Sequence, residues 1–207
     1  MSEPSAKSFL KLLERSGIVA DVALKEELGK LSAKAAGRKV STDELVGHLV
    51  DSGLITKWHT DKLLAGKYKG FFLGKYKLLR HLGSGGMSSV YLAQHKISEQ
   101  YRAIKVLPRK KVSDKSYLDR FYLEGRAAAS LNHPNVVRIY DICQEKDTHF
   151  MVMEYVKGDD LYNVVTADGA VAFEDAAKYT AQAAIGLEHA HKRELVHRDI
   201  KLSLIHI

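Results

Sequence analysis

Leu82-Gly83-Ser84-Gly85-Gly86-Met87-Ser88-Ser89-Val90 stands between two runs of strand-like alternation, Tyr76 to Leu82 and Ser89 to Gln94. Glycines let a backbone come close to a ligand, and the amides they leave open can hydrogen-bond phosphate oxygens. A strand follows the loop, whereas the dinucleotide fingerprint leads into a helix. No Gly-Lys-Ser/Thr closes it either, which excludes a P-loop. Taken alone the stretch reads equally well as a glycine-rich hairpin turn, and its neighbours decide between the two.

The next strand-like run, Tyr101 to Leu107, carries Ala103-Ile104-Lys105 and so places one ammonium inside an apolar segment. Lysine is mostly exposed unless it is paired. A partner is at hand in Glu124, on a helix predicted from Tyr117 to Leu131. Singly, each residue also reads as a solvent-facing charge. Two further strand-like runs follow, Val136 to Cys143 and His149 to Tyr155, then an alanine-rich helix from Phe173 to Lys192. Val196-His197-Arg198-Asp199-Ile200-Lys201 comes after it. Strands, one helix, strands, then helices is an α+β order.

These parts together resemble the protein kinase family, closest to the bacterial eukaryotic-like serine/threonine kinases. The glycine-rich loop, strand lysine, helix glutamate and His-Arg-Asp loop stand in family order with compatible spacings. Leu131-Asn132-His133-Pro134-Asn135-Val136-Val137 is similar to the family's link from that helix to the next strand. Met151-Val152-Met153-Glu154-Tyr155-Val156-Lys157-Gly158 is similar to the strand and hinge that line its adenine pocket. The resemblance covers Tyr76 to Lys201 and implies a kinase N-lobe, an antiparallel sheet with one helix, followed by the start of a helical C-lobe.

The resemblance also implies roles. The loop Leu82, Gly83, Ser84, Gly85, Gly86, Met87, Ser88, Ser89 and Val90 would cover ATP, with Ser88 where the third glycine usually stands. Lys105 would bind the α- and β-phosphates, held by Glu124. Val90 and Ala103 would touch the adenine, backbone groups of Glu154 and Val156 would bond its edge, and Met153 would be the gatekeeper. Asp160 would reach the ribose. Asp199 would accept or orient the substrate hydroxyl proton, and Lys201, typical of the serine/threonine class, would steady the phosphoryl group. ATP, Mg2+ and protein substrates bearing Ser or Thr are the implied cofactors and partners.

Beyond Lys201 the pattern departs. The family has a proline and then a magnesium-binding asparagine, but here the chain reads Leu202-Ser203-Leu204-Ile205-His206-Ile207, with Leu204 at the asparagine spacing. No Asp-Phe-Gly follows, so no residue is assigned to a metal. The expectation is an incomplete kinase domain, 76–207, ending in a foreign-looking, exposed apolar tail and transferring phosphate poorly or not at all by itself. The alternative is a non-catalytic ATP-binding pseudokinase or scaffold.

The first 70 residues read as a separate helical domain. Phe9, Leu10, Leu12 and Leu13 precede a stop at Ser16-Gly17, and Leu24, Leu28 and Leu31 form one helical stripe. Ser41 to Glu44 is a capping-box signature. Leu13 to Val19 matches Leu49 to Ile55, with Leu28 matching Leu64. This is either a two-unit repeat or a small bundle with coincidental similarity. Such helices offer no catalytic group and suit a protein partner. Gly66 to Gly74 is the expected junction.

Composition narrows the classes. With 45% hydrophobic and 28% charged residues the chain is an ordinary globular one, and no apolar run is long enough to span a membrane. One cysteine, Cys143, fits a reducing compartment, so a cytoplasmic location is expected. The net charge of +7 raises nucleic acid. Yet the basic residues are dispersed and the densest run, Pro108 to Lys111, has no interleaved aromatics, so no nucleic-acid partner is expected.

Overall fold

The computed structural model describes residues 5–85 and 88–207, which divide into two compact units, Met1–Gly83 with Val90–Tyr101 and Ser84–Ser89 with Arg102–Ile207.

The first unit begins with helices α1 (Ala6–Ser16), α2 (Asp21–Ala35), α3 (Thr42–Asp51) and α4 (Lys57–Leu64). Strand β1 (Phe72–Leu73) follows, with most of β2 (Tyr76–Ser84) and β3 (Ser89–His95), in the order β1-β2-β3. The similarity between the two helical pairs is realised at the atomic level. Ser16 Oγ donates to Leu13 O and Ser52 Oγ to Leu49 O, at 2.6 and 3.1 Å. Gly17 and Gly53, both in the left-handed region, donate to Glu14 O and Val50 O. Leu13 and Leu49 are fully buried, and the matching Val19 and Ile55 are 9% and 2% exposed. Each pair is therefore a helix, a glycine turn that only a residue tolerating positive φ makes cheaply, and a second helix. Their apolar stripes close one core with Phe9, Leu24, Leu31, Leu45 and Leu63.

Two helices carry reciprocal caps at their N-termini. Ser41 Oγ accepts from Glu44 N, but the Glu44 carboxylate takes the Arg38 guanidinium as its main partner, with the Ser41 backbone a lesser one. A two-pronged, charge-assisted contact outcompetes a neutral amide. A second reciprocal box sits on α4, where Thr56 Oγ1 accepts from His59 N and His59 Nδ1 accepts from Thr56 N.

The expected junction is packed. Phe71 is 1% exposed within the helical core, and Leu78 N donates to its carbonyl. On the same strand Thr56 Oγ1 donates to Leu79 O at 2.5 Å, and His59 Nε2 lies 2.6 Å from Leu78 O. Trp58 packs its ring against Phe71 and Tyr91. Residues on both sides of 70–76 thus share one compact unit.

The second unit contains β4 (Tyr101–Val106), short α5 (Arg109–Val112), α6 (Lys115–Ala129), β5 (Ile139–Glu145), β6 (Thr148–Glu154), α7 (Leu161–Asp168) and α8 (Phe173–His191). Strand β6 lies antiparallel between β4 and β5, pairing Ala103 with Met153 and Lys105 with Met151. Leu107, Phe121 and Met151 form the core between α6 and this sheet. Helix α6 can approach closely because Gly125 faces it: a Cβ there would lie 2.7 Å from both Ile142 Cδ1 and Met151 Cε. Helix α8 carries Glu174 and Asp175 in its first turn and His189 and His191 in its last, the order that suits the helix dipole. Gly186 lets it touch the Asn135 carbonyl.

The tail is not simply exposed. Leu202 and Leu204 are 44% and 48% exposed, but Ile205 and Ile207 are half-buried. Ile207 N donates to Asp159 O and Leu161 N to Ile205 O, at 3.0 and 2.8 Å, so the backbone runs as a bridge beside 159–161. Glycine at 158 is required by this contact, since a Cβ would meet Ile207 O at 2.0 Å.

Candidate active site

Strand β4 and helix α6 bring Lys105 and Glu124 together, Nζ to Oε2 3.7 Å, in the second unit. Ala103 and Lys105 share one face of β4, where Ala103 is buried and the longer Lys105 side chain is 30% exposed, while Glu124, 48% exposed, stands one position before the closely packed Gly125. A pair this open contributes at most about 1 kcal/mol to stability. Its worth lies in holding an ammonium in place while leaving donors for another anion.

Of the glycine-rich stretch, Gly86 and Met87 lie outside the described residues. In the second unit Gly85 N donates to Ser88 O at 2.9 Å, and the Ser84 and Ser89 hydroxyls lie 3.2 Å apart. Ser88, in the position expected for a third glycine, is 9% exposed. Leu82, Gly83 and Val90 belong to the first unit and are half-buried. Neither Gly83 nor Gly85 has positive φ, and a Cβ on either would meet nothing within 4 Å. Among the described residues no packing or backbone demand explains glycine at these positions.

At the end of β6, Met153 is half-buried beside the α6 core. Glu154 N already donates to Arg138 O at 2.8 Å, so among its backbone groups only the carbonyl remains for a ligand's edge. Val156 follows in irregular chain, half-buried. Asp160, expected at a ribose, is the N-cap of α7: Oδ1 accepts from Asn163 N and Oδ2 from Asn163 Nδ2, both at 2.9 Å. Both oxygens have partners within the chain, so the helix alone accounts for an aspartate here. The cap was legible as Asp before an apolar run, but helix α7 was not foreseen, because Leu161 to Val165 is short and partly β-branched.

After α8 the loop bends through Arg198 at φ 65°, and His197 Nδ1 accepts from Asp199 N at 3.3 Å. Lys201 Nζ donates to Asp199 Oδ2 at 2.8 Å. This ammonium, with a smaller contribution from His197, holds the Asp199 carboxyl below the usual aspartate range. Asp199 therefore stays ionised and acceptor-only near neutral pH. Leu204, at the spacing of the family's asparagine, presents no metal-binding atom. Among the described residues no group of three or more His, Cys, Asp or Glu could hold a metal ion. No helix among them is long and apolar enough to cross a membrane.

The family model described as "Protein kinase domain" matches residues 76–206. The serine/threonine-protein kinase PrkC of Bacillus subtilis is 42% identical over 128 residues, 62% of this chain and 20% of the relative. The serine/threonine-protein kinase PksC of Streptomyces coelicolor is 38% identical over 146 residues, 66% of this chain and 26% of the relative. The chain thus spans about a fifth to a quarter of these relatives' length. Among solved structures, the Mycobacterium tuberculosis PknI kinase domain superposes with a TM-score of 0.56 at 29% identity, covering 65% of this chain and 55% of that one.

Proposed function

The chain belongs to the protein kinase domain family, and from that premise we propose that residues 76–206 carry the nucleotide-binding part of a kinase that phosphorylates serine or threonine hydroxyls of proteins. The observation that carries this reading is the Lys105–Glu124 pair, an ammonium held by one open carboxylate at 3.7 Å and placed on the strand opposite Met151. ATP fits the residues of the second unit: Gly85 has open space in place of a side chain, and Lys105 has donors to spare. When bound, ATP supplies the transferable phosphoryl group. Within the second unit Lys105 would bind its phosphate oxygens, Ala103 would offer an apolar contact, and the Glu154 carbonyl and Val156 amide would bond the base edge. Asp199 orients the substrate hydroxyl through an acceptor-only carboxylate, and Lys201, already against it, stands ready for phosphate charge. Residues for magnesium do not fit: Leu204 carries no ligand atom, and no step is assigned through the metal.

A second reading, a non-catalytic nucleotide-binding scaffold, is favoured by Leu204 alone. Titration of ATP into the chain addresses the common ground. The chain should bind ATP saturably, Lys105→Met should weaken binding at least tenfold, and Asp199→Asn should leave it unchanged. Equal affinity in the Lys105→Met variant would overturn the assignment. Phosphorylation of a protein substrate that is abolished by Asp199→Asn selects the enzyme over the scaffold.

A further inference from the structure

A second concentration of positive charge lies apart from these residues, within the first unit. A cavity of about 360 Å3 opens between the turn at Ile18 and the outer strands, lined by Phe72, Lys77, Gln94, His95 and Lys96. Strand pairing sets Lys77 opposite Phe72, and Lys96 N donates to Lys75 O, which brings the end of β3 alongside the start of β2. Lys96 Nζ stands over the Phe72 ring, 4.3 Å from its centre. His95 Nδ1 accepts from the Ile97 and Ser98 amides, which leaves Nε2 as the ring's remaining hydrogen-bonding atom. Gln94 Nε2 is held by Glu99 O.

Lys77 is the anomaly. It is half-buried, and burial alone lowers its pKa, with no carboxylate acting on it. Glu99 also lines the cavity, yet among the described residues it makes no salt bridge with Lys77 or Lys96. A cation that gives up hydration without an anion destabilises the fold, and the simplest account of its retention is an anion from outside. Two ammonium groups and an imidazole against one carboxylate match a phosphate monoester, which carries a charge of about −1.5 to −2 at neutral pH.

We propose that this cavity binds a phosphate monoester group, with Lys77 and Lys96 as its cationic ligands and His95 Nε2 at its rim. Free phosphate and a phosphorylated serine side chain share this chemistry. The site uses none of the residues proposed to bind ATP. Amide chemical shifts of the full chain, followed at fixed ionic strength, test it with inorganic phosphate and O-phosphoserine as probes. Saturable shifts are expected at Lys77, His95 and Lys96. Phosphoserine binding at least tenfold tighter assigns the side-chain source; equal affinities assign free phosphate. Lys77→Met and Lys96→Gln should each weaken binding about tenfold, whereas Lys105→Met should leave it unchanged. Lys77→Met keeps the side-chain bulk and removes a poorly hydrated charge, so without phosphate it should melt no lower than the parent chain. Absence of saturable shifts, or binding lost with Lys105→Met and kept with Lys77→Met, would overturn the proposal.

Discussion

His59 shows how much one side chain can commit. It is fully buried, its Nδ1 accepts from Thr56 N, and its Nε2 lies 2.6 Å from Leu78 O. An acceptor at one nitrogen and a carbonyl at the other require the neutral tautomer protonated on Nε2. Burial pushes its pKa down from 6.5 to about 4, opposed by the bond to Leu78 and aided by Lys77. The unfolded chain thus binds the proton more readily between those values. The contribution of His59 is complete above pH 6.5 and is lost as pH falls towards 4, by roughly 3 kcal/mol in all. Denaturant unfolding of the full chain at pH 7.5 and 4.5 should show this loss. His59→Gln, which can still accept from Thr56 but does not titrate, should flatten the slope in that window. Identical slopes in the two proteins would refute the tautomer assignment.

At the scale of elements, the approach of α6 to its sheet is decided by Gly125. A side chain there meets the ends of Ile142 and Met151 at 2.7 Å. Both are flexible termini, so Gly125→Ala should be accommodated with small shifts, whereas Gly125→Leu should cost about 1–3 kcal/mol through overpacking. Because Glu124 precedes it, Gly125→Leu should also lengthen the Lys105–Glu124 contact and lower ATP affinity. Shortening the obstacle, in Gly125→Leu with Met151→Ala, should restore part of both losses. Urea midpoints and ATP titrations of the three variants check this. A Gly125→Leu protein as stable as the parent would show that the helix does not depend on this contact.

At the scale of the molecule, the four helices and the first strands form one compact unit. Thr56 and His59 donate to the carbonyls of Leu79 and Leu78, and the helical core buries Phe71. Residues 76–206 produced without the helices would lose both donors and the cover of that core. Their melting temperature should be lower than that of the full chain by about 5 °C or more, and the β2 amides should exchange hydrogen faster. Unchanged exchange in β2 would show that the helices contribute nothing to the strand. Trp58 and His59 of the helical pairs meet Phe71, Tyr91 and the Leu78 carbonyl, on both sides of 70–76, within this unit.

Apart from β1, α5 and α7, the order of strands and helices was legible in the sequence because it is written locally. Alternation marks β2, β3, β4 and β6, the Ser-Gly stops mark the ends of α1 and α3, and alanine marks α8. Lys105 and Glu124 were paired through the resemblance rather than by either residue alone, and their side chains lie 3.7 Å apart between β4 and α6. Other features had no local signature. Asp160 reads the same as a cap or as a ligand, since both uses want a short carboxylate before a helix. His59 and Lys77 each look like ordinary surface polar residues until a distant strand or helix covers them. Burial is set by what packs on a residue from elsewhere in the chain. The neutral imidazole at position 59, the poorly hydrated ammonium at position 77 and the packing of Phe71 were therefore decided only by the tertiary structure.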